Sequence, residues 1–395
     1  MLKKMEETLE ESVQAHKTGD VEIGSYLSSG VDSSYIAAKY SGKKTFTVGF
    51  LDKNSKYNEI RYAEGLVREL GKKNYNKNID SEEYFKSIPT VMYYMDEPLA
   101  DPSCIALYFV DQVAAEQIKV VLSGEGADEF FGGYNIYHEP LSLKGYQKLP
   151  KGLRKGLAAI AKKLPDIKGR DFIIRGSKDV EERFIGNANM FSVEEREKYL
   201  KHPITHIPPK DIVASTYKKV EGLNDIAKMQ YIDTNFWLQG DILLKADKMS
   251  MAHCLESRVP FLDVKVFDYA KKLPIDFRCN EEATKRAFRI AAKRHLPEAT
   301  ANKKKLGFPV PIRVWLKEDK YYNKVYEMFT SDVANKYFNT ELLVKLLEDH
   351  KADKADNSRK IWTIYVFLVW YNVYFVEEDF KPINDEWVKN RIKTA

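Results

Sequence analysis

Between residues 28 and 34 the chain reads Ser28-Ser29-Gly30-Val31-Asp32-Ser33-Ser34, directly after the apolar run from Val21 to Leu27 and before the helix-like Tyr35-Ile36-Ala37-Ala38-Lys39-Tyr40. An ordinary helix cap needs one Ser or Asp, worth ~1 kcal/mol, and here five of seven positions carry a hydroxyl or a carboxyl. Backbone N–H groups in a first helical turn lack internal partners and the helix dipole is positive there, so this turn suits an anion such as a phosphate. Gly30 would let the backbone come close to it. A carboxylate in a phosphate cradle repels its ligand unless a cation lies between them, which makes Asp32 a candidate Mg²⁺ ligand. The turn is not a Walker A loop, because no GxxxxGK[ST] occurs.

A second polar turn, Ser123-Gly124-Glu125-Gly126-Ala127-Asp128-Glu129-Phe130-Phe131-Gly132-Gly133-Tyr134, follows the apolar Lys119-Val120-Val121-Leu122. Its three acids repel one another unless something positive joins them. Taken with Asp32, Asp128 is expected to complete a two-carboxylate Mg²⁺ site, while Glu125 is placed to transfer a proton or to grip an amine. Taken alone, this segment would also fit a solvated acidic loop.

The elements that must position these turns alternate. Leu2, Met5, Leu9 and Val13 mark an amphipathic opening helix. Val21 to Leu27, Lys44 to Phe50, Tyr75 to Ile79 and Lys119 to Leu122 read as strands, separated by helices over 35–40, 58–70, 82–94 and 106–117. Such alternation predicts a doubly wound parallel sheet of α/β class, with ligands beyond the strand C-terminal ends. After about Tyr134 strand signals largely stop. The rest is expected to form a helical layer, so that about 18–140 is the nucleotide-binding core and about 141–395 the mainly helical part.

The 395 residues carry a net charge of +5 with 44% hydrophobic positions, which excludes a disordered chain. A small basic excess spread over this length is a weak argument for nucleic acid, and no nucleic-acid partner is expected. Cys104, Cys254 and Cys279 form no metal-ligand spacing, and with no apolar leader segment they point to reduced thiols in a cytoplasmic setting. Ile361 to Val376 is uncharged but short of the roughly 20 residues needed to span a bilayer. It is read as a buried helix, and no membrane partner is expected.

Two further blocks join the turns: Leu243-Leu244-Lys245-Ala246-Asp247-Lys248-Met249-Ser250-Met251-Ala252-His253 with Glu256-Ser257-Arg258-Val259-Pro260-Phe261-Leu262-Asp263, and Lys303-Lys304-Lys305-Leu306-Gly307-Phe308-Pro309. The first turn resembles the pyrophosphate loop of the N-type ATP pyrophosphatases (PP-loop proteins). The second turn and both later blocks resemble the synthetase domain of the glutamine-dependent asparagine synthetases, over about residues 1–375. The resemblance implies an adenine nucleotide α-hydrolase-like fold and ATP-dependent amidation of aspartate through β-aspartyl-AMP, with ATP, Mg²⁺ and ammonia. It implies that Leu27, Val48, Ser123 and Gly124 hold the nucleotide, that Ser28, Gly30, Ser33 and Ser34 hold pyrophosphate, that Asp32 and Asp128 bind Mg²⁺, and that Glu125 and Lys305 are catalytic.

The lysine triplet would otherwise read as a basic surface run, and His253 and Cys254 as packing residues. Glu256, Arg258 and Asp263 are expected to form a buried ion network. The family loop usually has two glycines where this chain has Ser29-Gly30. Full-length members begin with a glutaminase domain whose cysteine follows the initiator Met; here Leu2 follows Met1, so ammonia is expected free or from a separate glutaminase domain or subunit. A homodimer is admissible. The competing readings are a β-lactam-synthetase-like or other acyl-adenylate amidotransferase, a tRNA-modifying PP-loop protein, and a non-catalytic scaffold.

Overall fold

The structure is a computed structural model that describes residues 1–51, 57–165, 167–202, 207–303, 307 and 310–394. Five parallel strands form one sheet in the order β3-β2-β1-β4-β5: β1 is Ile23–Tyr26, β2 Lys44–Phe50, β3 Lys73–Ile79, β4 Val120–Leu122 and β5 Glu256–Arg258. Parallel strands need crossovers, and the first of these are α2 (Val31–Lys39), α3 (Ile60–Leu70), α4 (Ser81–Met95) and α5 (Ser103–Ala115), with α1 (Leu2–Ala15) preceding the sheet. The central strands read as apolar runs because both faces are covered. On one face Phe46, Val48, Phe50 and Val121 pack with α4, α5 and the long helix Ser358–Phe375. On the other, Val120 and Leu122 pack with α1, α2 and the helix Arg286–Ala292. A third apolar cluster, around Tyr137, Met229 and Ile232, holds the helical region together.

The strand order reverses between β1 and β4. β1 runs on to β2 and β3 on one side and meets β4 on the other, in the register Ile23–Val120, Gly24–Val121 and Ser25–Leu122. The loops that leave β1 and β4 therefore open side by side at the sheet's C-terminal edge, where doubly wound sheets bind ligands.

One strand departs from the sequence expectation. β5 lies inside the part read as mainly helical and pairs with β4 through Val120–Glu256 to Leu122–Arg258. The expected buried ion network is not there either. Arg258 reaches an exposed Glu256 at 2.7 Å and the carbonyls of His16 and Thr18, tying β5 to the end of α1, while Asp263 caps the next helix through the Lys265 amide. His253 is fully buried against Tyr108, and burial pushes its imidazole down to about 4, a packing role. The run from Ile361 falls in the helix Ser358–Phe375, with Val376 just past its end, and Trp362 and Tyr365 are buried in the first core. Among the described residues no helix is long and apolar enough to cross a membrane.

Candidate active site

α2 begins at Val31 with Gly30 as its N-cap and no side chain capping it. The serines of this turn are therefore not consumed as caps. Instead Ser28 and Ser33 hydroxyls lie 2.9 Å apart, and the Ser28 hydroxyl accepts from the Gly30 amide at 3.1 Å, a curled loop of donors around the helix N-terminus. The Ser29 hydroxyl points away from this loop and donates to the buried carboxylate of Glu59. The Ser29 hydroxyl thus fixes the loop to the start of α3 and adds no donor to the cradle.

The β4 loop leads into a five-residue helix, α6 (Ala127–Phe131), and approaches the α2 turn closely. A Cβ at Gly124 would sit 2.9 Å from the Ser33 backbone nitrogen, so only glycine lets the two loops touch. Asp32 and Asp128 face each other across this junction, and Lys285 joins them. Its Nζ lies 2.5 Å from Asp32 Oδ2 and 2.7 Å from Asp128 Oδ1. Burial alone would push this ammonium down, but Asp128 and Asp32 more than offset it, so Lys285 is held charged above its ordinary value. Its backbone sits at φ 52°, in the left-handed region. A Cβ at Gly133 would fall 2.1 Å from Lys285 Cε, so a glycine there makes room for the lysine. The buried Asp32 Oδ1 keeps no hydrogen-bond partner.

Glu125 stands on the same loop, with a buried Oε2 that has no partner. Burial raises its carboxyl to about 7, against the opposing pull of Lys245 and with help from Glu129. Lys245 is itself buried between Asp101 at 2.5 Å and Asp241 at 2.8 Å. One ammonium cannot fully satisfy two carboxylates. Both are desolvated, yet Lys245 holds Asp101 well below the usual range, while burial lifts Asp241 to about 6. Tyr134 donates to Glu129 at 2.6 Å and accepts from Trp237 at 3.0 Å, closing the wall beside the acids.

Asp32, Asp128, Lys285, Glu125, Lys245, Asp101, Glu129, Tyr134 and Trp237 line one cavity of about 570 Å³, within the usual range for small-molecule sites. Leu27, Ser28, Gly30, Asp32, Ser33, Val48, Ser123, Gly124, Glu125 and Asp128, singled out in the sequence, all reach it. Ser34 does not. It is fully buried, its amide is bonded to the Gly30 carbonyl, and its hydroxyl has no partner. Lys305 lies outside the described residues. The flanking Lys303 and Gly307 line the cavity, and Arg289 grips the Ala301 and Lys303 carbonyls at 2.8 Å each, anchoring the base of that loop. Lys285, Lys245, Asp101 and Glu129 were not singled out. The signal for Lys285 was indirect, since two carboxylates expected to face each other require a cation.

The sequence profile of the Asparagine synthase family matches residues 4–372. The chain belongs to the Asparagine synthase family. It is similar to asparagine synthetase [glutamine-hydrolyzing] 1 of Bacillus subtilis, with 42% identity over 387 residues covering 97% of this chain and 61% of the relative. A putative asparagine synthetase [glutamine-hydrolyzing] of Mycobacterium tuberculosis is 40% identical over 382 residues, covering 95% of this chain and 58% of that protein. The amidase chyE of Penicillium rubens is 24% identical over 365 residues, covering 77% and 52%. The chain thus spans about three-fifths of the length of its closely similar asparagine-synthetase relatives. With this membership the parallel sheet and its two loops are the PP-loop core of an Asparagine synthase domain.

Proposed function

We propose that this chain activates the side-chain carboxylate of aspartate with ATP and transfers ammonia to it, giving asparagine, AMP and pyrophosphate. The observation that carries this reading is the single cavity in which the α2 N-terminal turn, the lysine-bridged pair Asp32 and Asp128, and the near-neutral carboxyl of Glu125 meet. Leu27, Val48, Ser123 and Gly124 hold the nucleotide, and Ser28, Gly30, Ser33 and the free amides of α2 hold the departing pyrophosphate. Ser34 is assigned to packing. The aspartate β-carboxylate oxygen attacks the α-phosphorus, the α–β phosphoanhydride breaks, and pyrophosphate leaves. Lys285 and Lys305 offset the charge that gathers on the phosphates.

Asp32 and Asp128 suit a Mg²⁺ ion that is completed by substrate phosphates, because Asp32 Oδ1 remains unpartnered after Lys285 is satisfied. When bound, that ion supplies further neutralisation of phosphate charge. In the second half-reaction ammonia attacks the acyl carbon of β-aspartyl-AMP, AMP leaves with the bonding pair, and Glu125 takes the proton released from nitrogen. Residues 1–395 act as one synthetase-type domain in a cytoplasmic setting, with ammonia free or delivered by a glutaminase domain or subunit.

Exchange of labelled pyrophosphate into ATP tests the reading. Aspartate is expected to stimulate exchange, and hydroxylamine to trap an aspartyl hydroxamate. Exchange driven by a different carboxylic acid and untouched by aspartate would favour the second reading, amidation of another carboxylate, which the likeness to a protein named as an amidase supports.

A further inference from the structure

The chain's net charge of +5 is not spread along it. Between Lys148 and Arg175 lie nine basic and two acidic residues, a net +7, against −2 for everything else. The same segment holds seven of the 23 large apolar side chains that are exposed among the described residues. Its two helices, Lys151–Ala161 and Arg170–Gly176, pack as a hairpin.

That hairpin is inside out for a water-soluble surface. Its inward face carries Arg154, Ala158 and Ala161, and the buried Arg154 guanidinium clips the two helices together through the Leu149 and Gly176 carbonyls at 3.1 and 2.7 Å. One exposed side of the first helix carries Leu153, Leu157 and Ile160 at spacings of 4 and 3, and Leu164, Ile167 and, on the second helix, Phe172 are exposed as well. Leu153 is 52% exposed and Ile160 63%. Lys155, Lys162, Lys163 and Lys168 are exposed elsewhere on the same hairpin, and none makes a salt bridge among the described residues.

We infer that this hairpin docks on an anionic lipid surface, with the Leu/Ile/Phe stripe in the headgroup–acyl boundary and the lysines on the headgroup phosphates. Two arguments select lipid over a protein partner. Protein interfaces favour aromatic residues and arginine and are depleted of lysine, whereas here the stripe is aliphatic apart from Phe172 and the exposed charges without a salt bridge, among the described residues, are lysines. An aliphatic stripe beside a lysine-rich face is the pattern of helices that lie in the membrane interface. No helix among the described residues is long and apolar enough to cross a bilayer, so the contact is peripheral.

The test is co-sedimentation of the full chain with vesicles of phosphatidylglycerol and phosphatidylcholine, against phosphatidylcholine alone, at 0.05 and 0.5 M salt. Binding is expected to the anionic vesicles only and to be largely lost at high salt, where the Debye length is only a few ångströms. Each lysine near an anionic surface is worth about fivefold in partitioning, so Lys162→Glu with Lys163→Glu is expected to weaken binding at least tenfold. Leu157→Ser with Ile160→Ser should also weaken it, with an unchanged melting temperature showing that the fold is intact. Equal binding to both vesicles, no binding by the unaltered chain, or full binding by both double variants would overturn the inference. So would a dimer in sedimentation equilibrium that Leu157→Ser dissolves, because the face would then join two copies of this chain.

Discussion

Replacing Glu125 by Gln separates the burial of this carboxyl from its chemistry. In the folded chain burial raises Glu125 from its ordinary value of 4.5 to about 7. The native state then binds more protons than the unfolded state across that interval, so the group's contribution to stability falls as pH rises through it. Below about 4.5 both states are protonated and nothing is lost; above about 7 the whole difference is present. A gap of roughly 2.5 units at 1.36 kcal/mol each amounts to about 3 kcal/mol. Glutamine keeps the shape and removes the titration. The unfolding free energy of Glu125→Gln minus that of the unaltered chain, from urea titrations, should therefore rise from near zero at pH 4.5 to about 3 kcal/mol at pH 8. In the same variant pyrophosphate exchange should persist while amide formation falls about 10²-fold or more, the usual contribution of a positioned base. A stability difference that stays flat across this pH range would refute the buried-carboxyl reasoning. Equal losses in exchange and amide formation would refute the assignment to the second half-reaction.

The remaining predictions concern the junction of the two loops. Lys285→Met leaves Asp32 and Asp128 facing each other without a cation and should destabilise the chain by about 3 kcal/mol; millimolar Mg²⁺ should raise the melting temperature of the variant more than that of the unaltered chain, and an equal rise in both would count against a shared site. Gly124→Ala forces a Cβ to 2.9 Å from the Ser33 nitrogen, so nucleotide titration should show at least tenfold weaker binding, together with a loss of about 1–3 kcal/mol in stability. For the unaltered chain, the rate of amide formation at saturating ATP, aspartate and free ammonia should climb with pH and level off above about 7, where Glu125 is deprotonated.

Most of the sheet was legible because strands covered on both faces must be apolar throughout. Lys44–Phe50 stands where its apolar, β-branched run placed it, and β1 and β4 fall within their predicted runs. β5 was not legible. Its three residues, Glu256-Ser257-Arg258, are polar and partly exposed at the sheet edge, so neither hydrophobicity nor alternation marks them. The two loops announced themselves by density of polar residues after an apolar strand. Lys285 did not, since Thr284-Lys285-Arg286 looks like any solvated helix start until the fold carries it to Asp32, 253 positions away. Ser34 misled for a related reason: its type fits a phosphate loop, but one residue further along α2 the amide is already committed to the helix and the side chain turns into the core.

The fifth strand also bears on how the chain comes to be folded. β4 carries the loop with Glu125 and Asp128, and its outer edge is paired by β5, whose residues follow it by more than 130 positions. During synthesis the first four strands emerge long before their edge partner, and α1 waits just as long for the helices Val264–Ala270 and Arg286–Ala292 that pack on it. Until then β4 presents unpaired backbone groups, the kind of edge that recruits strands from other chains. A fragment ending near residue 140 would hold both polar loops and still be aggregation-prone, and this edge of the cavity would set only after about residue 290 had left the ribosome.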